Sequence, residues 1–397
     1  MAAGSNQGRT AIVNVARILT GDLDQPEIAG DTILIADGLV ESIGFRGGLN
    51  VAEFGTVIDA RGQTAAPGLI DTHAHVVFGD WTPRQNTLGW IESYMQGGVT
   101  SMMSASEVHL PGRPTDPVGV KALAIAAQRA YSHYRPGGVK VHAGSVILEP
   151  GLTAADFAEL AAAGVWLAKM GFGAFAKNTD AEPLVRAAQA NGFLVMSHTG
   201  GASIPGSSAI TADDLLCLRP NIAGHANGGT TALPDADLAR LVLEADFYLQ
   251  ISQAGNLRSA LRLLGQAREA GKLKRVLIST DTPTGTGVMP LGMLRSVVEM
   301  ASLGGLGAPL AWALASGNNA TALRRNTGRL LPGREADLVL IDAPIGSAFA
   351  DAVAGMEGGD LPGISCVLID GEIRALKSRN TPAPRRLVTV NAGEGSV

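Results

Sequence analysis

An α/β chain, with a TIM-like (β/α)8 barrel and a small β-sandwich domain assembled from both chain ends, is the fold this sequence predicts. Three observations carry the prediction. Strand-like and helix-like segments alternate from about Ala66 to Leu331, and short alternating strands without helices occupy both ends. The composition, with 46% hydrophobic residues, 4% aromatics and 51 glycines among 397 residues, suits an α/β protein better than an all-β one. A chain of this length can bury a sizeable core and has room for one large domain and a smaller one.

From Thr10 to about Thr64 the pattern gives strands at Ala11 to Val15, Asp31 to Ala36, Leu39 to Ile43 and Val57 to Asp59, with Asp37-Gly38 as a hairpin signal. The same texture returns at Ala336 to Asp342 and at Cys366 to Glu372. Residues 10–65 and 332–379 are therefore expected to form one composite β-domain, 66–331 the barrel, and the Pro- and polar-rich 380–397 a C-terminal arm.

Within the middle block, eight candidate strands end at His73 to His75, Thr100 to Ala105, Lys140 to Ser145, Val165 to Lys169, Phe193 to His198, Ile222 to His225, Phe247 to Ser252 and Arg275 to Asp281. The segments between read mostly as helices. Thr153 to Ala163 carries Thr153 as N-cap with Asp156 behind it, and Asp180 to Ala190 stops before Asn191-Gly192. In such a barrel the chemistry sits where the strands end.

Ionisable residues fall at those ends. His73 and His75 are one residue apart at the end of strand one, so both imidazoles face the same side of an extended chain. Lys169 ends strand four, His198 strand five, His225 strand six and Asp281 strand eight. Each alone has an ordinary explanation: a hydrogen-bonded barrel histidine, an anion-binding lysine, an N-cap aspartate before Thr282-Pro283. Six at matching positions point to a centre for divalent metal ions, to which imidazole and carboxylate are suited. Two close cations need an anionic bridge, and a cationic amine cannot bridge, so Lys169 serves there only as the N6-carboxylated form. Asp281 is then the ligand placed to act as general base and acid. His133, on a helical stretch, His109, after strand two, and His142, within strand three, are expected to be structural or exposed. Thr199-Gly200-Gly201 and Asn227-Gly228-Gly229 follow ligand strands, where backbone N–H groups could approach a substrate oxygen.

A net charge of -5 with no Lys or Arg run argues against nucleic acid and anionic membrane as partners and leaves a small-molecule substrate. Cys217 and Cys366 are the only cysteines, which argues against a disulfide framework or thiolate cluster and fits a reducing cytoplasm. No apolar leader or membrane-length run occurs.

Asp71-Thr72-His73-Ala74-His75, the single ligands on strands four, five and six, the strand-eight aspartate, and Pro332-Gly333-Arg334-Glu335-Ala336-Asp337-Leu338 resemble the amidohydrolase superfamily over nearly the whole chain. Segments without a metal role narrow the resemblance. Pro111 to Pro114, Ser197 to Ser208 with Thr211 to Asp214, Asp281 to Arg295, and Lys377 to Pro382 are similar to its enamidase branch. That resemblance implies two zinc ions, or zinc with iron, and a homotetramer. It also implies hydrolysis of the ring amide of 6-oxo-1,4,5,6-tetrahydronicotinate in nicotinate degradation, giving 2-formylglutarate and ammonia. Attack by metal-bound hydroxide, with Asp281 moving the proton, is the expected mechanism. A substrate carboxylate needs a cation, for which Arg113, Arg84 and Arg295 are candidates by location, with Asn227 near the same face. The alternatives within the superfamily are an imidazolonepropionase-like hydrolase, an amidase or dipeptidase, and a deaminase; outside it, a non-catalytic binding protein on the same fold.

Overall fold

The computed structural model describes residues 8–47, 49–78, 89–106, 108, 112–202, 205–228, 232–283 and 287–392. The barrel strands are Leu69–Ala74, Val99–Ser104, a third strand in two pieces (Lys140–His142 and Ser145–Ile147), Leu167–Met170, Leu194–Ser197, Ile222–Ala223, Tyr248–Ser252 and Val276–Ser279. Consecutive strands pair in parallel. The ring closes between the last strand and the first, where Asp281 N–H donates to His73 O (2.8 Å) and His75 N–H to Thr282 O (3.1 Å). The fold class is the one the sequence predicts.

The third strand departs from its expected continuous run. It breaks at Ala143-Gly144, and its first piece pairs with strand two while its second pairs with strand four. Gly144 has φ +95°, and a Cβ there would lie 2.7 Å from both Ala124 O and Gln128 Cβ on the helix Pro117–His133. Only glycine lets that helix pack so closely at a positive φ. Helix Ala154–Ala162 starts where expected, with Thr153 N–H and Oγ1 both donating to Asp156 Oδ2 (2.8 and 2.7 Å). Helix Glu182–Ala190 starts later than the pattern suggests, because Asn178–Ala181 forms a 3-10 turn before it.

The two chain ends build two sheets. One has the order Thr389–Ala392, Thr56–Asp59, Arg9–Val13, Thr32–Ala36, Leu39–Gly44; the other Glu372–Leu376, Gly363–Ile369, Leu338–Asp342, Thr64–Pro67, Arg17–Leu19, Glu27–Ile28. Ile12, Ile33, Ile35 and Ile58 of the first meet Ile18, Leu338, Leu340 and Leu368 of the second in one buried core. Asp37 (φ +52°) and Gly38 (φ +75°) make the expected hairpin turn, and Asp370 (φ +54°) and Gly371 (φ +74°) repeat it between the strands of the Cys366 region.

Lys140, at the start of the third barrel strand, reaches into the second sheet. Its Nζ pairs with Glu335, Asp337 and Asp370 at 2.6, 2.7 and 2.7 Å, so the three carboxylates surround an ammonium. Burial works against that charge, but the three partners raise the pKa above the ordinary lysine value. Among the described residues, no helix is long and apolar enough to cross a membrane.

Candidate metal centre

The six residues expected at the strand ends come together. Asp281 Oδ1 lies 3.1 Å from His73 Nε2 and 2.9 Å from His75 Nε2. Lys169 Nζ is 3.5 Å from His73 Nε2, and His198 Nδ1 is 3.1 Å from His225 Nε2. The His73 and His225 rings, with centroids 5.3 Å apart, join the two groups. His73, Lys169, His198 and His225 are buried, whereas His75 and Asp281 are slightly exposed, with side chains 10% and 21% accessible.

The backbone around Asp281 is tightly held. Asp281 itself sits at φ +57°, a costly conformation for a non-glycine residue. It is flanked by Thr280, whose N–H donates to Asp71 Oδ1 (3.0 Å) and whose hydroxyl donates to Asp71 Oδ2, and by Thr282, whose hydroxyl meets Tyr94 Oη. Asp71 also accepts from His73 N–H (3.1 Å), so one buried carboxylate braces both the first and the last strand. Behind the second histidine pair the constraint is steric. A Cβ on Gly171 (φ +115°) would lie 2.5 Å from His198 Cβ.

The electrostatics favour the ligand state of these groups. Burial, reinforced by the nearby lysine, pushes His73 well below the ordinary histidine value. Burial likewise lowers His198 to about 3 and His225 to about 4, so all three are neutral imidazoles at physiological pH. Burial alone would raise Asp281, but the facing His73 and His225 rings and the His75 hydrogen bond hold it well below the usual carboxylate range. Lys169 is lowered to about 8 by burial. Among the described residues no carboxylate lies within ion-pair distance of its Nζ, whose hydrogen-bond neighbours are His73 Nε2 and Met196 Sδ. A buried amine close to neutrality is the form that reacts with CO2. The donor set fits divalent cations, with neutral imidazole nitrogens and one ionised carboxylate gathered beside Lys169. His198 adds a detail, since its Nε2–H donates to Gly201 O (2.8 Å) and leaves Nδ1 to face His225.

The residues expected to hold substrate are placed less uniformly. Arg113 is tied to Glu149 and, at 2.6 Å, to Phe172 O, and Phe172 packs edge-on to the His198 ring. Asn227 is buried, with Nδ2 donating to Ser252 O (2.9 Å) and Oδ1 accepting from Ser252 N–H (2.8 Å). Arg295 is an exposed residue of helix Gly292–Ser302. Arg84 and His109 lie outside the described residues. His142 stacks edge-on to Trp166 and His133 is exposed at a helix end, so neither joins the centre. The N–H groups of Gly200 and Gly228 are already donated to Ile210 O and His225 O. One buried residue touching the centre had no signal in the sequence: Gln250, in the middle of the seventh strand, whose Oε1 is 2.7 Å from His73 Nδ1.

Comparison with known proteins agrees with this arrangement. Residues 64–374 match the model of the amidohydrolase family. Enamidase of Eubacterium barkeri is 46% identical over 96% of this chain and 99% of its own length. An enamidase crystal structure superposes with a TM-score of 0.92, covering 96% of this chain and 100% of that one. Adenine deaminase of Deinococcus deserti is 27% identical over 85% of this chain and 60% of its own. A triazine hydrolase from Arthobacter aurescens, 18% identical, shares the fold with a TM-score of 0.65 over 94% of this chain and 96% of that one. Members of this family are typically metal-dependent. With its family match running through both the barrel and part of the composite sheets, and with imidazoles, lysine and aspartate gathered at the barrel mouth, the chain belongs to the amidohydrolase family.

Proposed function

We propose that this hydrolase opens a six-membered cyclic amide as enamidase does, converting 6-oxo-1,4,5,6-tetrahydronicotinate to 2-formylglutarate and ammonia. The observation that carries the reading is the 46% identity to enamidase over 96% of this chain. Divalent cations, zinc or zinc with iron, held by His73, His75, Asp281, His198 and His225 with carboxylated Lys169 as bridge, would lower the pKa of water in the site and polarise the ring carbonyl. The remaining work falls to Asp281. As an ionised carboxylate it takes the proton of the attacking water and delivers it to the ring nitrogen as the C–N bond breaks. The product is an enamine, whose hydrolysis releases ammonia.

Of the candidates for a substrate carboxylate, Arg113 stands one side chain away from His198 through Phe172, and a substrate would have to share its guanidinium with Glu149. Arg84 and Arg295 follow by location, and Asn227 would act by shaping the loop it fastens. A homotetramer, a cytoplasmic location, and the division into 10–65 with 332–379, 66–331 and a 380–397 arm belong to the same reading. The likeness to enamidase supports the first two, and the pairing of the terminal strands supports the composite domain, to which Thr389–Ala392 of the arm adds an edge strand beside Thr56–Asp59.

The test is an assay of metal-loaded protein on 6-oxo-1,4,5,6-tetrahydronicotinate beside other cyclic amides, N-acyl compounds and adenine, with metal content measured on the same sample. Ring opening with ammonia release and about two metals per chain supports the reading. Metal-loaded protein that releases ammonia from adenine and leaves the cyclic amide intact refutes it.

A further inference from the structure

We propose that Gln250 is a positioning residue that locks His73 in the one neutral tautomer able to bind a cation through Nε2. The inference rests on the reading of His73 as a metal ligand. It begins with the orientation of the Gln250 amide, which two backbone groups determine. His225 N–H, which can only donate, faces Oε1 at 3.1 Å. Thr72 C=O, which can only accept, faces Nε2 at 3.2 Å, and the Thr72 hydroxyl takes a second hydrogen bond from Nε2 at 2.8 Å. Flipping the amide would set donor against donor and acceptor against acceptor in a fully buried site, where orphaned polar groups are strongly disfavoured.

The atom 2.7 Å from His73 Nδ1 is therefore the amide oxygen, and an amide oxygen only accepts. Nδ1 must carry the ring proton. The Nε2 lone pair then faces Asp281 Oδ1 at 3.1 Å and Lys169 Nζ at 3.5 Å. Two lone pairs opposed at that distance repel unless a proton or a cation lies between them, and on the ligand reading of His73 the cation takes that place. Gln250 also joins Thr72 on the first strand to His225 on the sixth, and so fixes the spacing of two ligand-bearing strands from the seventh. A carboxylate in its place would orient the ring equally but would add charge and raise the basicity of His73; the neutral amide orients it without that change.

The test uses the full chain with Zn(II) as the probe. Wild type, Gln250→Leu and Gln250→Glu are compared for Zn(II) affinity by chelator competition, for metal-free thermal melts, and for the 15N shifts of the His73 ring. Gln250→Leu is expected to weaken Zn(II) binding about 10–100-fold and to lose the single-tautomer 15N signature. Gln250→Glu is expected to keep the affinity within a few-fold or better, with Nδ1 shifted as its proton meets a carboxylate. A folded Gln250→Leu protein that binds Zn(II) like wild type overturns the proposal. If that variant does not fold, an Nδ1 shift in Gln250→Glu identical to wild type does so instead. Should His73→Ala bind Zn(II) as tightly as wild type, it is the ligand reading of His73 that fails, a separate outcome.

Discussion

Replacing Asp281 by asparagine separates holding a cation from moving a proton. The side chain keeps its size, and the remaining oxygen can still accept from His75 Nε2, now 2.9 Å from Oδ1, so the strained backbone at φ +57° and its anchors through Thr280 and Asp71 stay as they are. What is lost is the carboxylate that the neighbouring rings keep ionised well below its ordinary range. General acid–base transfer contributes about 10²–10⁴-fold to rate, or roughly 2.7–5.4 kcal/mol of barrier. Among the described residues no other carboxylate has an ion pair to the His73 or His75 ring, and Asp71 meets only the His73 backbone N–H. Asp281→Asn is therefore expected to lower kcat by about 10³-fold, the middle of that range, with KM within a few-fold of wild type. The assay is steady-state ammonia release from the cyclic amide, with metal content by mass spectrometry on the same protein. A kcat within tenfold of wild type at unchanged metal content refutes the assignment of Asp281 to proton transfer.

Four further outcomes follow from the same geometry. Glu149→Ala leaves the Arg113 guanidinium, 7% exposed, without its buried partner and should cost about 3–5 kcal/mol in urea denaturation. Gly171→Ala drives a methyl into His198 and should lower Zn(II) retention under chelator challenge more than it lowers the metal-free melting temperature. Added Zn(II) should raise the melting temperature, with about 2.7 kcal/mol of stabilisation at a hundredfold excess over Kd, and chelator should reverse it. His142 is held neutral down to about 3 by burial, below its unfolded value near 6.5, so between those two pH values the unfolded chain binds the extra proton. Stability should fall as pH drops through that window, by at most about 1.4 kcal/mol per pH unit from this group, and His142→Gln should flatten the slope.

The barrel and five of its strand ends are legible because the ligand types occur there at strand spacing, and a histidine pair such as His73 and His75 shows its shared face without any tertiary knowledge. Lys169, His198, His225 and Asp281 become meaningful only as a set, since each has an ordinary reading alone. Gln250 is illegible for a physical reason: in Tyr248–Ser252 it is one polar residue on a strand, and its function lies in contacts with Thr72 and His73, 178 and 177 residues away. Arg113 shows the converse. Its location suggests a free cation, but its partner Glu149 comes from the loop after another strand, which no local pattern reveals. Among the terminal strands, Arg17–Leu19 and Glu27–Ile28 are too short to show alternation; Arg17–Leu19 exists because Thr64–Pro67 supplies its hydrogen-bond partners, and Glu27–Ile28 because Arg17–Leu19 does so in turn.

The two sheets woven from both ends of the chain impose a schedule on synthesis. Gln63 Oε1 accepts from Ser365 Oγ, a contact between residues 302 positions apart. At about 5–20 residues per second, Gln63 leaves the ribosome roughly 15–60 s before its partner. Throughout that interval Thr64–Pro67 lacks Leu338–Asp342 on one side, and its unpaired edge is open to any other nascent chain. Expression at lower temperature, or with a chaperone that shields early segments, should therefore change the soluble yield of this protein more than any substitution at the barrel mouth.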